Sequence, residues 1–256
     1  MNYNWTMVTV TYNSGSTLRE FWSNASVEEV HEWIVVDNNS SDDSAQVAEG
    51  LGARVIRLNE NLGFAAANNI GFDNVTTPYV AFVNPDVRVS TDDLQTLESY
   101  LQENPNQLLA PQLKNSDGTL QPNGRNHPYF VHKVLNRIFP TAVEGRYTIL
   151  NKKPGPQRAI WLTGAVVATA TQTFSMIGKW NERFFVYYED TELGLRAAAQ
   201  DVNSAVIGQI NWTHGWKRES TGLNPKGWRL EAQGAFKFYT LYPRYLLPRF
   251  PRRPDF

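Results

Sequence analysis

The chain has 256 residues, room for one large α/β domain or two small ones, and its 41% hydrophobic residues suffice for a full core. A net charge of -1 argues against a chain-wide nucleic-acid surface, which needs excess positive charge. With no cysteine there is no disulfide framework, thiolate metal site or cysteine nucleophile, and any metal must be held by oxygen or imidazole.

Apolar, β-branched runs separated by polar turns and short helical patterns have the rhythm of a buried parallel sheet. Met7 to Tyr12 reads as the first strand, ending at Asn13-Ser14-Gly15-Ser16, with Leu18, Phe21 and Trp22 on a following helix. Trp33 to Val36 is a second strand that stops at Asp37, Ala45 to Leu51 a short helix, and Ala53 to Leu58 a third strand. Gly63 to Phe72 reads as an Ala-rich helix and Tyr79 to Val83 as a fourth strand before Asn84-Pro85-Asp86. Thr91-Asp92-Asp93 caps a helix with Leu94, Leu97 and Leu101 on one face. Residues 114 to 158 are dense in Gly and Pro, which favours long loops around a short helix near 130 to 138. Order returns with Ile160 to Ala168, the aromatic run Phe184 to Tyr188, a helix Asp190 to Gln200 and a strand Ala205 to Trp212.

Neither a leader peptide nor a transmembrane span is expected, because no basic start leads into an apolar segment and no apolar run approaches ~18 residues. Charge is uneven: from Lys217 onward nine basic residues face three acidic ones, an arm suited to an anionic surface. Its Tyr242, Tyr245 and Phe250, interleaved with Arg244, Arg249, Arg252 and Arg253, fit either a solvated end or an interfacial anchor at lipid headgroups.

Polar residues fall where strands end: Asn13, Asp37 and Asp86. In an open α/β sheet such ends share one edge, so they can converge on one crevice, although Asp and Asn also terminate strands by bonding their own backbones. No glycine-rich phosphate motif is present, which disfavours a hydride-transfer Rossmann enzyme and a P-loop kinase. A diphosphate could instead be neutralised by a divalent cation on carboxylate oxygen, with Asp86 the best-placed ligand.

Val8-Thr9-Val10-Thr11-Tyr12-Asn13, Val35-Val36-Asp37-Asn38-Asn39-Ser40, Asn61-Leu62-Gly63-Phe64-Ala65-Ala66-Ala67-Asn68-Asn69 and Asn84-Pro85-Asp86 resemble, in order, the nucleotide-sugar half of family 2 glycosyltransferases of GT-A fold. Trp161-Leu162-Thr163-Gly164-Ala165, Gly178-Lys179-Trp180-Asn181-Glu182-Arg183-Phe184-Phe185 and Glu189-Asp190-Thr191-Glu192 continue it, and the subgroup is similar to rhamnosyltransferases. The resemblance implies an α/β domain with a mostly parallel central sheet over residues 1 to 216: a nucleotide-sugar half to about 113, an acceptor half from about 114, and a basic aromatic extension over 217 to 256. It further implies that Thr11, Tyr12, Asn13, Asp37, Gly63, Asn68, Asn84 and Asp86 line the nucleotide-sugar site. Asp86 and His214 would hold Mg²⁺ or Mn²⁺, with Asn84 standing where the family's D-x-D motif has its first acidic residue. Asp190 would be the catalytic base, with Glu189, Trp180 and Gly164 on the acceptor side and Arg196 a structural partner.

The activity so implied is inverting transfer from a nucleotide sugar, dTDP-rhamnose first, to a bacterial surface glycan or its lipid-linked precursor. The alternatives are a UDP-hexose transferase of the same fold, or a non-catalytic nucleotide-sugar or glycan-binding module. The expected location is cytoplasmic, with the extension as a contact with the inner face of the plasma membrane in the anchor reading.

Overall fold

The computed structural model describes residues 4–23, 30–215 and 225–247. In chain order the elements are β1 (Trp5–Thr11), α1 (Gly15–Trp22), β2 (Glu32–Asp37), α2 (Ser44–Gly50), β3 (Arg54–Arg57), α3 (Phe64–Phe72), β4 (Tyr79–Val83), β5 (Val87–Arg88), α4 (Asp93–Glu103) and β6 (Gln107–Lys114). There follow β7 (Leu120–Gln121), β8 (Gly124–Arg125), α5 (Phe130–Ile138), β9 (Thr148–Ile149), β10 (Pro156–Ala159), β11 (Trp161–Leu162), β12 (Val166–Ala170), α6 (Thr171–Met176), α7 (Glu189–Ala198), β13 (Asn203–His214) and α8 (Pro225–Leu241).

The main sheet runs β10-β13-β6-β12-β4-β1-β2-β3. Strands β4, β1, β2 and β3 are mutually parallel, β12 runs antiparallel between β4 and β6, and β13 is parallel to β6. The carboxyl ends of β1, β2, β4, β6 and β13 therefore share one edge with the start of β12. Both faces of the sheet are covered, so its strands are buried on either side: Met7, Val35, Ala81 and Leu109 in one core, Val8, Phe82, Ala110 and Val206 in the other. The indole rings of Trp22 and Trp33 stack at 4.1 Å and join α1 to β2.

The sequence pattern placed the first four strands, and their bounds move by one or two residues. It missed β6, which lies between β12 and β13 and carries Pro111. A proline lacks the ladder donor and is foreign to central strands. Here Pro111 pairs with Ile207 where the register of β13 jumps to Asn211 opposite Gln112, so the missing N–H falls in an interruption of the ladder. Residues 114 to 158 also hold more order than their Gly and Pro content suggests: besides the foreseen helix, β8 joins β9 and β11 in a small second sheet.

Residues 225–247 belong to the folded body. Phe238, Tyr239 and Tyr245 are buried with Phe184, Tyr188 and Leu195 in a third core, and the Tyr242 hydroxyl donates to Glu192 Oε1 at 3.3 Å. The solvated-end reading is thereby corrected for this part, and so is the use of the Tyr245 ring as a lipid anchor, since these aromatics cover the loop before α7. Lys217, Arg218, Arg249, Phe250, Arg252 and Arg253 lie outside the described residues.

Candidate active site

At the carboxyl ends of β1 and β2 the following loops are laced together. Asn13, in the left-handed region at φ 53°, donates its amide to Ser40 Oγ at 2.9 Å and accepts from the Ser41 amide at 2.8 Å. Asp37 closes β2 and accepts from the Thr11 hydroxyl at 3.2 Å and the Ser40 amide at 3.3 Å. Tyr12 is exposed beside them. Asn38, which the sequence reading left without a role, accepts from the Leu62 amide at 2.8 Å and donates to the Gly63 carbonyl at 3.2 Å. That bond draws the turn before α3 to the end of β2.

Gly63 is one of the contacts between the first part of the chain and the loop before α7. Its φ of 84° and its approach to Phe185, whose carbonyl oxygen would lie 2.3 Å from an added Cβ, both require glycine. The next amide, of Phe64, donates to that same carbonyl at 2.7 Å.

Asp86 follows β4, and β5 pairs with the end of β13, bringing His214 opposite Val87. His214 Nε2 lies 3.4 Å from Asp86 Oδ1, and Nδ1 lies 2.8 Å from Gln121 Oε1. The Gln121 amide nitrogen donates to the His214 carbonyl at 3.0 Å, which fixes the orientation of that amide. Oε1 can only accept, so Nδ1 carries a proton, and in the singly protonated ring the Nε2 lone pair faces the carboxylate. Two lone pairs at that distance call for a proton or a cation between them. The spacing also matches adjacent ligands of one divalent ion, ~3.0–3.4 Å for bonds of about 2.1 Å. The pair thus fits a metal, with Gln121 as the outer partner that sets the tautomer. Among the described residues no cluster of three His, Asp or Glu forms, so protein alone would supply two ligands.

Helix α7 begins with Glu189 and Asp190, just after Tyr187 and Tyr188 at φ 68° and 73°. Two successive non-glycine residues in the left-handed region cost of order 1–3 kcal/mol each and are held by their surroundings. Tyr188 packs on Phe238 and Tyr239 of α8, and Gly234 lets α8 approach the Tyr187 carbonyl, which would be 2.9 Å from an added Cβ. Asp190 is half-buried; its Oδ2 accepts from the Gly164 amide at 3.1 Å and its Oδ1 from the Thr191 amide at 2.6 Å. Glu189 is buried, with Oε2 lacking a hydrogen-bond partner among the described residues. Burial foremost, then the charge of Asp190, pushes its carboxyl up to about 8. Arg196 grips Glu192 through Nε at 3.0 Å and reaches the Lys179 carbonyl at 2.6 Å, the structural partnership expected of it.

Lys133 was not foreseen. Its Nζ sits 3.5 Å from the centre of the Tyr188 ring and 3.4 Å from Thr191 Oγ1. Burial brings the amine down to about 8, opposed by Asp190 and Glu231. A single lysine in an apolar helical run carries no sequence signal for this placement.

Three residues expected to touch ligand are corrected. The Trp180 ring is 2% exposed, packed edge-on against Phe64 and Phe82 in the core, so no face is left for an acceptor. Asn68 is equally enclosed and donates to the Phe64 carbonyl at 2.9 Å, bracing the first turn of α3. Thr11 is fully buried and serves to hold Asp37.

The Asp190 and Asp86 segments meet at the start of β12. Ala165, the residue after Gly164, accepts from the Asn84 amide at 2.9 Å, and Val166 pairs with Val83. Asp190 and Asp86 are therefore joined through Gly164-Ala165 and Asn84-Pro85 at one sheet edge.

The model of glycosyl transferase family 2 matches residues 6–169. Relatives include the N-acetylglucosaminyl-diphospho-decaprenol L-rhamnosyltransferase of Mycobacterium tuberculosis, 26% identical over 86% of this chain and 78% of that one. The rhamnosyltransferase WbbL of Escherichia coli K12 is 21% identical over 91% of both. Among solved structures, GalNAc-T7 with UDP, GalNAc and Mn²⁺ superposes with a TM-score of 0.65 at 15% identity, over 93% of this chain and 50% of that chain. The Pyrobaculum calidifontis mannosyltransferase PcManGT with GDP-Man and Mn²⁺ gives 0.63 at 15% identity, over 95% and 65%. The present chain thus spans half the length of the first of these structures, and both likenesses show the GT-A fold. The family match, the ordered motifs and the shared sheet edge give one conclusion: the chain is a glycosyltransferase and belongs to glycosyl transferase family 2.

Proposed function

We propose that the enzyme transfers a sugar from a nucleoside diphosphate donor to a hydroxyl with inversion, and that the donor is dTDP-rhamnose. The observation that carries the chemistry is the Gly164-Ala165 link between Asp190 and the Asn84-Pro85-Asp86 turn. Support for the sugar comes from the two rhamnosyltransferase relatives that match most of the chain.

Residues up to about 113 form the donor side, with Asp37 and Asn13 at the base and ribose and Tyr12 at the rim. Residues from about 114 to 216 form the acceptor side, and the C-terminal extension opens with α8, packed over the loop before α7. Asp86 Oδ1 and His214 Nε2 would hold Mg²⁺ or Mn²⁺. When bound, that ion would offset charge on the departing diphosphate. Asn84, lacking a charge, leaves Asp86 as the only carboxylate of the turn.

Asp190 takes the proton of the acceptor hydroxyl as that oxygen bonds to the anomeric carbon. The bond from that carbon to the phosphate oxygen breaks on the opposite face, and its electron pair leaves with the diphosphate, through an oxocarbenium-like state. Gly164 and Thr191 aim the carboxylate, while burial and the charge of Asp190 push the neighbouring Glu189 carboxyl toward its neutral form. The acceptor, in this reading, is a bacterial surface glycan or its lipid-linked precursor. A transfer assay over dTDP-rhamnose and UDP-hexoses, with and without Mn²⁺, tests the reading; the anomeric configuration of the product reports inversion. Turnover with UDP-hexoses alone would replace the donor, and retention of configuration would refute the single displacement.

A further inference from the structure

Helix α5 turns an apolar stripe toward solvent. At ~100° per residue, Phe130, Val131, Val134 and Ile138 fall on one face, and that face is the exposed one, whereas Lys133 and Asn136 lie on the sheltered side. Ile138 and the adjoining Phe139 are each 59% exposed. The Tyr245 ring lies 5.3 Å from that of Tyr129, the residue before α5, and Leu246 and Leu247, exposed at 48% and 78%, follow it directly. An apolar patch of this kind marks a contact surface.

We propose that the outward face of α5, with Phe139, docks on a bilayer bearing anionic headgroups. Charge favours such a partner: residues 118 to 143 contain no Asp or Glu, and the exposed cations near the face are Arg137 and Arg244, the latter 5.0 Å from the centre of the Tyr245 ring. Arg137 stands at the rim of the face, ion-paired to Glu231 at 2.9 Å and stacked on the exposed Trp228 ring at 4.2 Å. An arginine and an indole at the border of an aliphatic stripe suit the headgroup level. Size disfavours a second copy: five side chains are few against the roughly 20–30 residues a side of a stable interface. The polar side of the same helix holds Lys133 against Thr191, so docking would set the acceptor side of the site at the lipid surface. The inference needs neither the donor nor the chemistry assigned above.

Flotation of the full chain with phosphatidylcholine vesicles, with and without about a third phosphatidylglycerol, tests it. The wild type is expected to float with the anionic vesicles, and V134N/I138N to lose about tenfold or more of the bound fraction. Met176→Asn, which alters an exposed apolar residue on α6, should change nothing. Melting temperatures of the variants serve as the folding control. Ile138→Trp in the otherwise native chain supplies a second readout, a blue-shifted emission on the same vesicles. Failure of the wild type to float, equal flotation of V134N/I138N, an unshifted tryptophan, or a wild-type dimer that V134N/I138N splits would each overturn the proposal.

Discussion

The backbone amide of Gly164 is aimed at Asp190, nitrogen to Oδ2 at 3.1 Å, from a segment whose next carbonyl holds Asn84. The carboxylate assigned to the acceptor and the turn assigned to the donor are thus fixed to two adjacent residues of main chain, Gly164 and Ala165. Asp190→Asn preserves the size of the side chain and an acceptor for Gly164. It should keep nucleotide binding while lowering kcat by about 10²–10⁴-fold, measured by steady-state transfer against donor affinity from calorimetry.

Gln121 touches His214 and not Asp86, yet it decides which imidazole nitrogen is free of a proton. Gln121→Leu should therefore raise the metal concentration needed for half-maximal activity by about 10–100-fold, the usual cost of removing an outer partner. Direct loss of the ligand in Asp86→Asn should cost more. A titration of activity with Mn²⁺ for the three proteins checks the order.

Glu189 holds its proton up to about 8 in the folded protein, against an ordinary 4.5. Over that interval the folded state binds more protons than the unfolded one, so stability falls as pH rises from 4.5 toward 8 and levels off beyond. Lys133 has the opposite effect: with its amine down to about 8 from 10.5, the unfolded state is the more protonated, and stability rises across that range. Glu189→Gln removes the first slope and should melt higher than wild type at pH 7.5, by about 2–4 °C per kcal/mol gained. Melting curves at stepped pH resolve both slopes.

Lys133 lowers the proton affinity of Glu189 through its charge and supports Tyr188 through its ring. Lys133→Met keeps the aliphatic stem and removes the charge. Glu189 should then hold its proton to higher pH, and kcat should fall with the Kd of the nucleotide unchanged, read from pH profiles and calorimetry.

Gly63→Ala tests the link between the halves. The new methyl group meets the Phe185 carbonyl at φ 84°, so the variant should lose about 1–3 kcal/mol of stability. Chemical denaturation measures this, and donor binding should weaken with it because Asn38 anchors the same turn.

Much of the sheet edge was legible because parallel strands, buried on both faces, write themselves as apolar runs whose polar ends fall at one edge. Asp37, Asp86 and Asp190 could be named from such ends and from the ordered motifs. The errors share a cause in side-chain direction and tertiary context. Trp180 looked like a sugar platform, but its backbone is bound by Asn69, whose Oδ1 and Nδ2 hold the Trp180 amide and carbonyl, and the ring faces the core. Pro111 hid β6 because the interruption that tolerates it lies in a strand almost a hundred residues later. The C-terminal segment did carry a signal, Phe238, Tyr242 and Tyr245 at spacings of four and three, of which only Phe238 lies within α8, and glycines at 227 and 234 masked it. For Lys133 no signal existed, since only the packing of α5 against Tyr188 gives it a neighbour.

The central claim is that one sheet edge holds a diphosphate-side ligand and an acceptor-side base. Binding of dTDP with and without Mn²⁺, measured alongside rhamnosyl transfer for wild type, Asp86→Asn and Asp190→Asn, tests it most directly. The account predicts that Asp86→Asn loses the Mn²⁺-dependent part of binding, and that Asp190→Asn binds as wild type and fails to transfer. Unchanged Mn²⁺-dependent binding in Asp86→Asn, or wild-type turnover in Asp190→Asn, would contradict it.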